Sequence, residues 1–471
     1  MAALPTSAAI RTNGTLPTRE KIGYGLGDCA ANFVFQTQIM FLMSFYTDVF
    51  GISAVAAGNI FLFSRLWDAI NDPIMGSIAD RTTTRWGKFR PWILATALPF
   101  AGLFVLCYTT PDFSYAGKIV WAVITYNALM MMYTANNIPY SALTGVMTGD
   151  MAERASLVQW RFVMAMVAQF AVQTYTLVLV KKFGGDDPAL GYQLTMSLWA
   201  AVAVVFFIIT FATTKERIAP PPEQKSSPGQ DLNDLFHNPN WLSLAGATLF
   251  IFIALVLRGS ATPYYFQYYL ERTELFGVEK SRAELMGWFN GVSTALTIVG
   301  VLLSKPLVLR FGKRDVFRAA LFGTALCALA FYMAPPTAVE GIFALHYLLQ
   351  FIYGISISLL WAMMADVADF TEWTMSRRAT AMTFAATVFA LKLGLSIGGA
   401  LQGYLLEYYG YQANVEQSAV AKEGISKIMS LFPAIAFLVA VAILAFYRID
   451  RRTEYEMHDA LTAKRHGSSD A

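Results

Sequence analysis

The strongest constraint on this chain is a succession of apolar segments, each long enough to cross a membrane. A transmembrane helix needs about 20 mainly apolar residues. No two-residue alternation of polar and apolar side chains runs through the segments, so helices are favoured over a β-barrel. The sequence predicts an all-α polytopic membrane protein with twelve transmembrane helices, at 22–48, 53–79, 91–111, 117–146, 156–181, 190–214, 240–270, 284–305, 316–334, 340–366, 379–408 and 426–448.

Composition excludes several other classes of protein. Hydrophobic residues make up 56% of the 471 residues and charged residues only 14%, whereas roughly 25% of the residues in a soluble domain are charged. A soluble enzyme, a disordered chain and a nucleic-acid-binding protein are therefore excluded. The formal net charge of +3 is too small to imply an acidic partner.

The longest polar gap divides the apolar segments into two groups of six. It contains the cluster Pro220-Pro221-Pro222. Lysine and arginine are concentrated in the loops on the side of both chain ends, which predicts that both termini are cytoplasmic. We expect a multi-pass plasma membrane protein, in a bacterial inner membrane. The predicted divisions are a cytoplasmic tail at 1–21, a six-helix bundle at 22–214, a cytoplasmic linker at 215–239, a second six-helix bundle at 240–448 and a cytoplasmic tail at 449–471.

Short motifs recur in the two groups. Arg85-Trp86-Gly87-Lys88 follows the second segment, and Arg310-Phe311-Gly312-Lys313 follows the eighth. The ends of the first and seventh segments, at 46–51 and 272–277, also resemble each other. Units with an even number of spans give parallel repeats, as in the major facilitator architecture, where the substrate site lies between the halves.

The second segment contains the densest group of charges in an apolar run. Arg65, Asp68 and Asp72 are three and four residues apart, so they share one face of a helix, and Asn71 adjoins that face. Two carboxylates one turn apart repel each other unless a cation, a proton or the arginine lies between them. The group indicates either a cation or proton site or a closed ion pair with Arg65.

Other polar residues interrupt the apolar segments. Carboxylates and amides there suit a polyhydroxyl ligand, and each buried cation must face a partner or water. His346 is interpreted as a core histidine with its hydrogen bonds satisfied. The remaining candidates are Asp28 and Asn32 in the first segment, Thr134 and Asn137 in the fourth, and the single cations Arg161, Arg258 and Lys392 in the fifth, seventh and eleventh.

The motifs resemble those of the glycoside-pentoside-hexuronide:cation symporters, the family that includes the melibiose carriers. The resemblance covers nearly the whole chain, and its motifs come in the expected order. They are Tyr24-Gly-Leu-Gly-Asp28, Phe45-Tyr46-Thr47-Asp48, Trp67-Asp68-Ala-Ile-Asn71-Asp72-Pro73, Arg85-Trp-Gly-Lys-Phe-Arg-Pro91, Asn137-Ile-Pro139-Tyr, Asp366-Val-Ala-Asp369-Phe and Lys392.

The resemblance implies a major facilitator fold and symport of a sugar-like solute with Na⁺ or H⁺. Residues and resemblance together predict three groups of site residues. A cation site would comprise Asp68, Asn71, Asp72 and Thr134; a substrate site Asp28, Asn32, Asn137, Arg161, Arg258 and Lys392; and a coupling and gating set Arg65, Arg85, Lys88, Arg310, Lys313, Asp366 and Asp369.

The sequence departs from the melibiose carriers at the positions that hold galactosyl hydroxyls. Asn32 and Asn137 stand where those carriers have acids, and Ser141 stands where they have a tryptophan. Melibiose is therefore not expected as the substrate. Arg258 could bind a uronate carboxylate bidentately, serve a neutral glycoside, or pair with Asp28.

The sequence predicts a secondary active symporter that imports a glycoside, pentoside or hexuronide together with Na⁺ or H⁺ by alternating access. The neutral oxygens of Asn71 and Thr134 favour Na⁺. The expected partners are the sugar and the lipid bilayer, with no catalytic residue, organic cofactor, further metal, nucleic acid or obligate protein partner. The alternatives are a related carrier of a lysolipid or other amphipathic solute, an integral membrane enzyme and a sugar sensor.

Overall fold

The computed structural model describes residues 15–148, 150–217, 235–375 and 380–467, and most of these residues are helical. Residues 1–14 of the predicted N-terminal tail, 218–234 of the predicted linker and 468–471 of the C-terminal tail lie outside the described residues. The first half contains α1 (Thr18–Ser44), α2 (Ala54–Arg81), α3 (Arg90–Cys107), α4 (Tyr115–Met147), α5 (Met151–Gly184) and α6 (Pro188–Thr213).

The second half has a similar succession of helices. It contains α7 (Pro239–Tyr264), the short hairpin of β1 (Glu274–Leu275) and β2 (Val278–Glu279), α8 (Arg282–Phe311), α9 (Lys313–Met333), α10 (Val339–Met375), α11 (Thr380–Tyr408), α12 (Ala419–Met429), α13 (Leu431–Ile443) and α14 (Arg451–Gly467). The two strands are antiparallel, with Glu274 opposite Glu279 and Leu275 opposite Val278.

Helices lie at all the predicted apolar segments within the described residues. The last segment differs from the prediction, because its helix breaks at Ser430 and begins at Ala419. Helix α14 in the C-terminal tail was not predicted. Its first turn is capped by Asp450, which accepts hydrogen bonds from the Thr453 backbone N–H and hydroxyl, and these bonds lower the pKa of Asp450.

Nine helical segments among the described residues are long and apolar enough to cross a membrane. Helices α1, α2 and α4 are not among them. These are the helices on which polar site residues are concentrated, such as Asp28, Asp68 and Thr134. The chain is thus a multi-pass membrane protein that places polar groups on three helices of its first half.

Helices α1 and α7 each end in a π-helical turn. The turns comprise Phe45–Phe50 and Tyr265–Tyr269, at equivalent places in the two halves. The predicted equivalence of 46–51 with 272–277 is therefore wrong, because 272–277 lies beyond the second turn and enters the β-hairpin. Such turns are rare and frequently mark functional sites.

Among the described residues, the most extensive contacts between the halves are those of α1 with α7, α2 with α11, and α5 with α8. Glycine permits the α2–α11 contact. A Cβ atom on Gly403 would overlap the carbonyl oxygen of Ala54 and lie 3.2 Å from the Cα atom of Gly58. Small residues allow helix backbones to approach closely in membranes, so this contact depends on the missing side chain.

Replacing Gly403 by alanine is expected to lower the free energy of unfolding by about 1–3 kcal/mol, because the added methyl group overlaps backbone atoms of α2. Thermal melting of the purified protein in detergent measures the change. Gly102→Ala is the matched control, since no heavy atom lies within 4 Å of the Cβ position there. Equal melting temperatures for the two variants would contradict this account of the α2–α11 contact.

Candidate transport site

The two acids of the predicted cation site meet a threonine and a lysine from other helices. The hydroxyl oxygen of Thr134 on α4 lies 2.8 Å from Oδ1 of Asp68 and 3.0 Å from Oδ1 of Asp72. Nζ of Lys392 on α11 lies 2.9 Å from Oδ2 of Asp68 and also contacts Oδ2 of Asp72. Asp68 is buried and Asp72 is half-buried. The cluster therefore joins the two halves of the protein.

The charges of this cluster do not cancel. Two carboxylates face one ammonium group, which leaves one negative charge among them if both acids are ionised. The Thr134 hydroxyl has a single hydrogen to donate, yet its oxygen lies within hydrogen-bond distance of both acids. A proton on one carboxyl group or a bound cation would satisfy the remaining oxygen.

Two predicted members of this region lie apart from the cluster. Arg65 interacts with Tyr126 and lines a small cavity with Gln38 and Ser260. Among the described residues no ion pair joins Arg65 to either acid, and no hydrogen bond joins Asn71 to the cluster. The sequence interpretation of a closed pair between Arg65 and an acid is therefore wrong, because Lys392 holds that position.

A second polar group lies within the first half. Nε of Arg161 lies 3.1 Å from Oδ2 of Asp28, and its Nη1 donates to the hydroxyl of Ser141 at 3.1 Å. The guanidinium carbon is 5.1 Å from the centre of the Tyr140 ring. Asp28 is thus paired with Arg161, and the considered pair between Asp28 and Arg258 does not form.

The two asparagines of the predicted substrate site lie beside this group. The side-chain amide of Asn32 donates to the backbone carbonyl of Asp28 at 2.9 Å. Asn137 accepts a long hydrogen bond of 3.5 Å from Ser141. Both asparagines are partly exposed, so their remaining hydrogen-bonding capacity is available to a ligand.

A cavity of about 280 Å³ lies between the halves. Of the six predicted substrate residues, all within the described part of the chain, only Arg258 lines it. Sequence reasoning missed the cavity's amide groups, although Gln169 and Gln173 lie four residues apart in an apolar run and therefore share one helix face. The polar side chains of the lining include Gln36, Gln169, Gln173, Arg258, Asn290, His346 and Gln350.

The loop after α2 is held by an acid that lies beyond α6. The carboxylate of Glu216 accepts hydrogen bonds of 2.8–2.9 Å from the backbone N–H groups of Lys88, Phe89 and Arg90. Gly87 has a φ of +115°, and a Cβ there would lie 2.5 Å from Glu216. The guanidinium of Arg85 lies over the Trp86 ring. The glycine of this motif therefore makes room for the carboxylate.

The corresponding loop of the second half is also held by an acid beyond its last span. Lys313 pairs with Asp366 on α10 at 2.6 Å and with Glu454 on α14 at 2.9 Å. Arg310 contributes its backbone carbonyl, which accepts a hydrogen bond from Arg451. Asp369 lies three residues after Asp366 on the same helix. Glu216 and Glu454 thus bind equivalent loops of the two halves.

The halves also meet at the opposite end of the bundle, around Asp48 in the first π-helical turn. Its carboxylate accepts a hydrogen bond of 2.9 Å from Tyr268 in the second π-helical turn and another from Tyr411. The side-chain amide of Asn414 donates to the Asp48 carbonyl at 2.5 Å. We call Asp48, Tyr268, Tyr411 and Asn414 the end latch, since it closes this end between the halves.

Comparison with known proteins assigns the family. A family described as MFS/sugar transport protein matches residues 23–451. This chain belongs to that family. It is 40% identical to the inner membrane symporter YicJ of Escherichia coli over 92% of each chain, and 32% identical to the isoprimeverose transporter of Lactiplantibacillus pentosus over 94% of this chain and 91% of that one.

Solved structures agree on the fold. A point mutant of the nucleoside transporter NupG superposes with a TM-score of 0.67 at 14% identity, over 92% of this chain and 99% of that chain. The predicted major facilitator fold is thereby confirmed, and the family match and the named relatives confirm the resemblance to the glycoside-pentoside-hexuronide:cation symporters. Because the family consists of transporters, the prediction that the protein is not an enzyme is confirmed as well.

Replacing Glu216 by glutamine is expected to lower the free energy of unfolding by about 1–3 kcal/mol, because an amide has one acceptor oxygen where the carboxylate has two. Thermal melting in detergent measures the loss. Glu274→Gln is the control, since the Glu274 side chain is 42% exposed and its ion pair with Arg272 lies at the surface. A Glu216→Gln variant as stable as the control would show that the loop is held by other contacts.

Proposed function

We propose that the protein is a secondary active symporter that imports a glycoside, pentoside or hexuronide together with Na⁺ or H⁺ by alternating access. The observation that carries the proposal is the position of Lys392 between Asp68 and Asp72, which joins α11 of one half to α2 of the other. The names of related proteins, among them a putative glycoside/cation symporter of Escherichia coli that is 37% identical, support the same function.

In this mechanism Lys392 occupies the cation site when the coupling ion is absent. A Na⁺ ion or a proton that binds at Asp68 and Asp72 neutralises charge there and weakens the hold of the carboxylates on the lysine. Releasing Lys392 changes the contact between the halves. Cation binding therefore shifts the equilibrium between the conformations in which one or the other end of the bundle is open. Because such coupling is reciprocal, the sugar tightens cation binding by the same factor.

Alternating access requires that the two ends of the bundle open in turn. The end latch closes one end in this structure. We propose that this end faces the outside, that twelve helices span a bacterial inner membrane, and that both termini and the loops held by Glu216 and Glu454 are cytoplasmic. The gating roles of Arg65, Arg85, Lys88, Arg310, Lys313, Asp366 and Asp369 belong to this proposal.

The alternative of a lysolipid carrier is not favoured. Relatives of this chain that are named for a substrate include a carrier of isoprimeverose and a glucuronide carrier homologue. The amide side chains in the cavity also suit hydroxyl groups better than an acyl chain, since burying an unpaired amide against hydrocarbon is costly.

Uptake in proteoliposomes tests the proposal. The purified protein is given neutral glycosides, pentosides and uronates while Na⁺ and pH gradients are imposed separately. Accumulation above equilibrium that is driven by one gradient identifies the substrate class and the coupling ion together. No accumulation of any sugar under either gradient would overturn the proposed function.

Replacing Asp68 by asparagine is expected to abolish concentrative uptake, because the site loses the charge that attracts the cation. Exchange of substrate between equal concentrations isolates the loss of coupling from a loss of sugar binding. Asp112→Asn is the control, since Asp112 is exposed in the loop between α3 and α4. Normal cation-driven accumulation by Asp68→Asn would remove this residue from the cation site.

Replacing Asp48 by alanine is expected to open the end latch more often, because its carboxylate supplies the acceptors for two tyrosines. Each lost hydrogen bond to a charged group is worth about 1.5–3 kcal/mol, so the open population should rise at least tenfold. A cysteine introduced at Gln36, which lines the cavity, reports opening through its labelling rate by a membrane-impermeant thiol reagent in right-side-out vesicles.

Tyr404→Phe is the control for this experiment. It removes one hydrogen bond between the halves, from Tyr404 to Asn59, and leaves the end latch intact. An unchanged labelling rate in Asp48→Ala, or a rate no higher than in Tyr404→Phe, would show that Asp48 does not keep this end closed.

A further inference from the structure

We propose that Arg258 and His346 form a subsite for a carboxylate group, and that the transported solute is a polyhydroxyl acid rather than a neutral sugar. The inference rests on the proposed function and deepens it, because it assigns the charge of the substrate. The juxtaposition that carries it is a buried guanidinium and a buried imidazole, each with an unpartnered N–H group, in the lining of the cavity between the halves.

The charge of Arg258 is poorly compensated within the protein. Its side chain is buried, and its Nη1 donates to the backbone carbonyl of Met429 at 2.7 Å. The guanidinium carbon lies 4.6 Å from the centre of the Phe331 ring. Among the described residues no carboxylate lies within 4 Å of this guanidinium. A buried charge without an opposite charge is costly unless a ligand supplies one.

The carbonyl of Met429 compensates only part of this charge. It lies at the end of α12, where the helix breaks at Ser430. The C-terminus of a helix carries roughly half a negative charge, so a substantial positive charge remains on the guanidinium.

His346 provides a second donor beside the guanidinium. Nη2 of Arg258 lies 2.9 Å from Nδ1 of His346. Arginine can only donate, so Nδ1 accepts and the hydrogen of the neutral imidazole lies on Nε2. Nε2 has no hydrogen-bond partner among the described residues. His346 is therefore not the satisfied core histidine that the sequence suggested.

The imidazole is held in a fixed orientation. Its ring stacks on Phe289 with centroids 3.6 Å apart and planes 6° apart. Arg258 Nε also lacks a hydrogen-bond partner among the described residues. The subsite thus offers unused N–H donors from a cation and from a neutral ring whose position is set by packing.

An oxyanion satisfies this arrangement better than a hydroxyl group does. A carboxylate accepts hydrogen bonds at two oxygens and cancels the charge of the guanidinium, whereas a hydroxyl leaves that charge in place. Both unpartnered nitrogens are covered in this conformation, so binding requires a local shift of the side chains around them. Such a shift would change the contact between Arg258 and the Met429 carbonyl. It would therefore also affect the break between α12 and α13.

The opposite wall of the cavity can bind the rest of the solute. Gln36 on α1 and Gln169 and Gln173 on α5 belong to the first half, while Arg258 and His346 belong to the second. Amide groups donate and accept hydrogen bonds and therefore suit sugar hydroxyls. A solute with a carboxylate at one end and hydroxyls at the other would contact both halves at once.

The test compares matched pairs of ligands that differ only in the acid, such as a methyl glucuronide and the corresponding methyl glucoside, across several sugar stereochemistries. Affinity for the purified full-length protein is measured by calorimetry and by competition for uptake in proteoliposomes. We expect at least a tenfold preference for the acid of the recognised stereochemistry. Arg258→Gln should remove that preference.

Arg318→Gln is the matched control variant. Like Arg258, Arg318 donates to a backbone carbonyl near a helix end, in its case from Nε to Leu444 at 3.0 Å, but it does not line the cavity. We expect this variant to lose thermal stability while it keeps the preference for the acid. Arg258→Lys, which retains the charge without the planar fork, keeps the experiment informative if Arg258→Gln does not fold, and it should reduce the preference partially.

Three results would contradict the carboxylate subsite or the proposed function. Neutral glycosides bound as tightly as their acids would overturn this inference and leave the proposed symport standing. An acid-to-neutral ratio unchanged in Arg258→Gln would make Arg258 a structural cap of α12. Failure to bind or accumulate any sugar, acidic or neutral, would overturn the proposed function itself.

Discussion

One ionic contact joins the two halves at the centre of the molecule. Lys392 on α11 lies against Asp68 and Asp72 on α2, and the distance between its Nζ and Asp68 Oδ2 is 2.9 Å. Separating a buried ion pair without replacing either partner leaves an uncompensated charge and is strongly unfavourable. The halves are therefore free to move at this contact only when something else takes the place of the lysine, and a cation from solution has the required charge.

The backbone around this contact allows α2 and α11 to approach closely. Aspartate is short, so α2 and α11 must approach closely if one lysine is to reach two acids. Gly58 and Gly403 allow that approach, because a side chain on Gly403 would overlap Ala54. The same helices contact again near the end of the bundle through Asn59 and Tyr404. Packing and electrostatics at this interface thus depend on each other.

Much of this arrangement could be predicted from the sequence. The apolar runs located the helices, and the spacing of Asp68 and Asp72 placed them on one face, because both are local properties of the chain. The partners of these residues depend on which helices face each other, and spacing along one helix carries no such information. From spacing alone, Arg65 was considered as a partner of the acids, whereas in the structure Lys392, more than 300 residues away, pairs with them.

Other features were missed for the same physical reason. Glu216 and Glu454 act on loops that are 126 to 141 residues away in the chain, and nothing in their local sequence distinguishes them from exposed acids. The unused Nε2 of His346 depends on its stacking against Phe289 and on its contact with Arg258. By contrast, the glutamines Gln169 and Gln173 had a local signal, their spacing within an apolar run.

Two polar centres at the contact between the halves have opposite surplus charges. Asp68, Asp72 and Lys392 together leave one negative charge when both acids are ionised, whereas Arg258 leaves a positive charge that no carboxylate among the described residues cancels. A bound cation would neutralise the first centre and an acidic solute the second. The cost of moving charged groups through a medium of low dielectric constant falls when both centres are neutral. A carrier loaded with only one of the two ligands would keep an uncompensated charge, which gives a physical reason for cation and solute to be transported together.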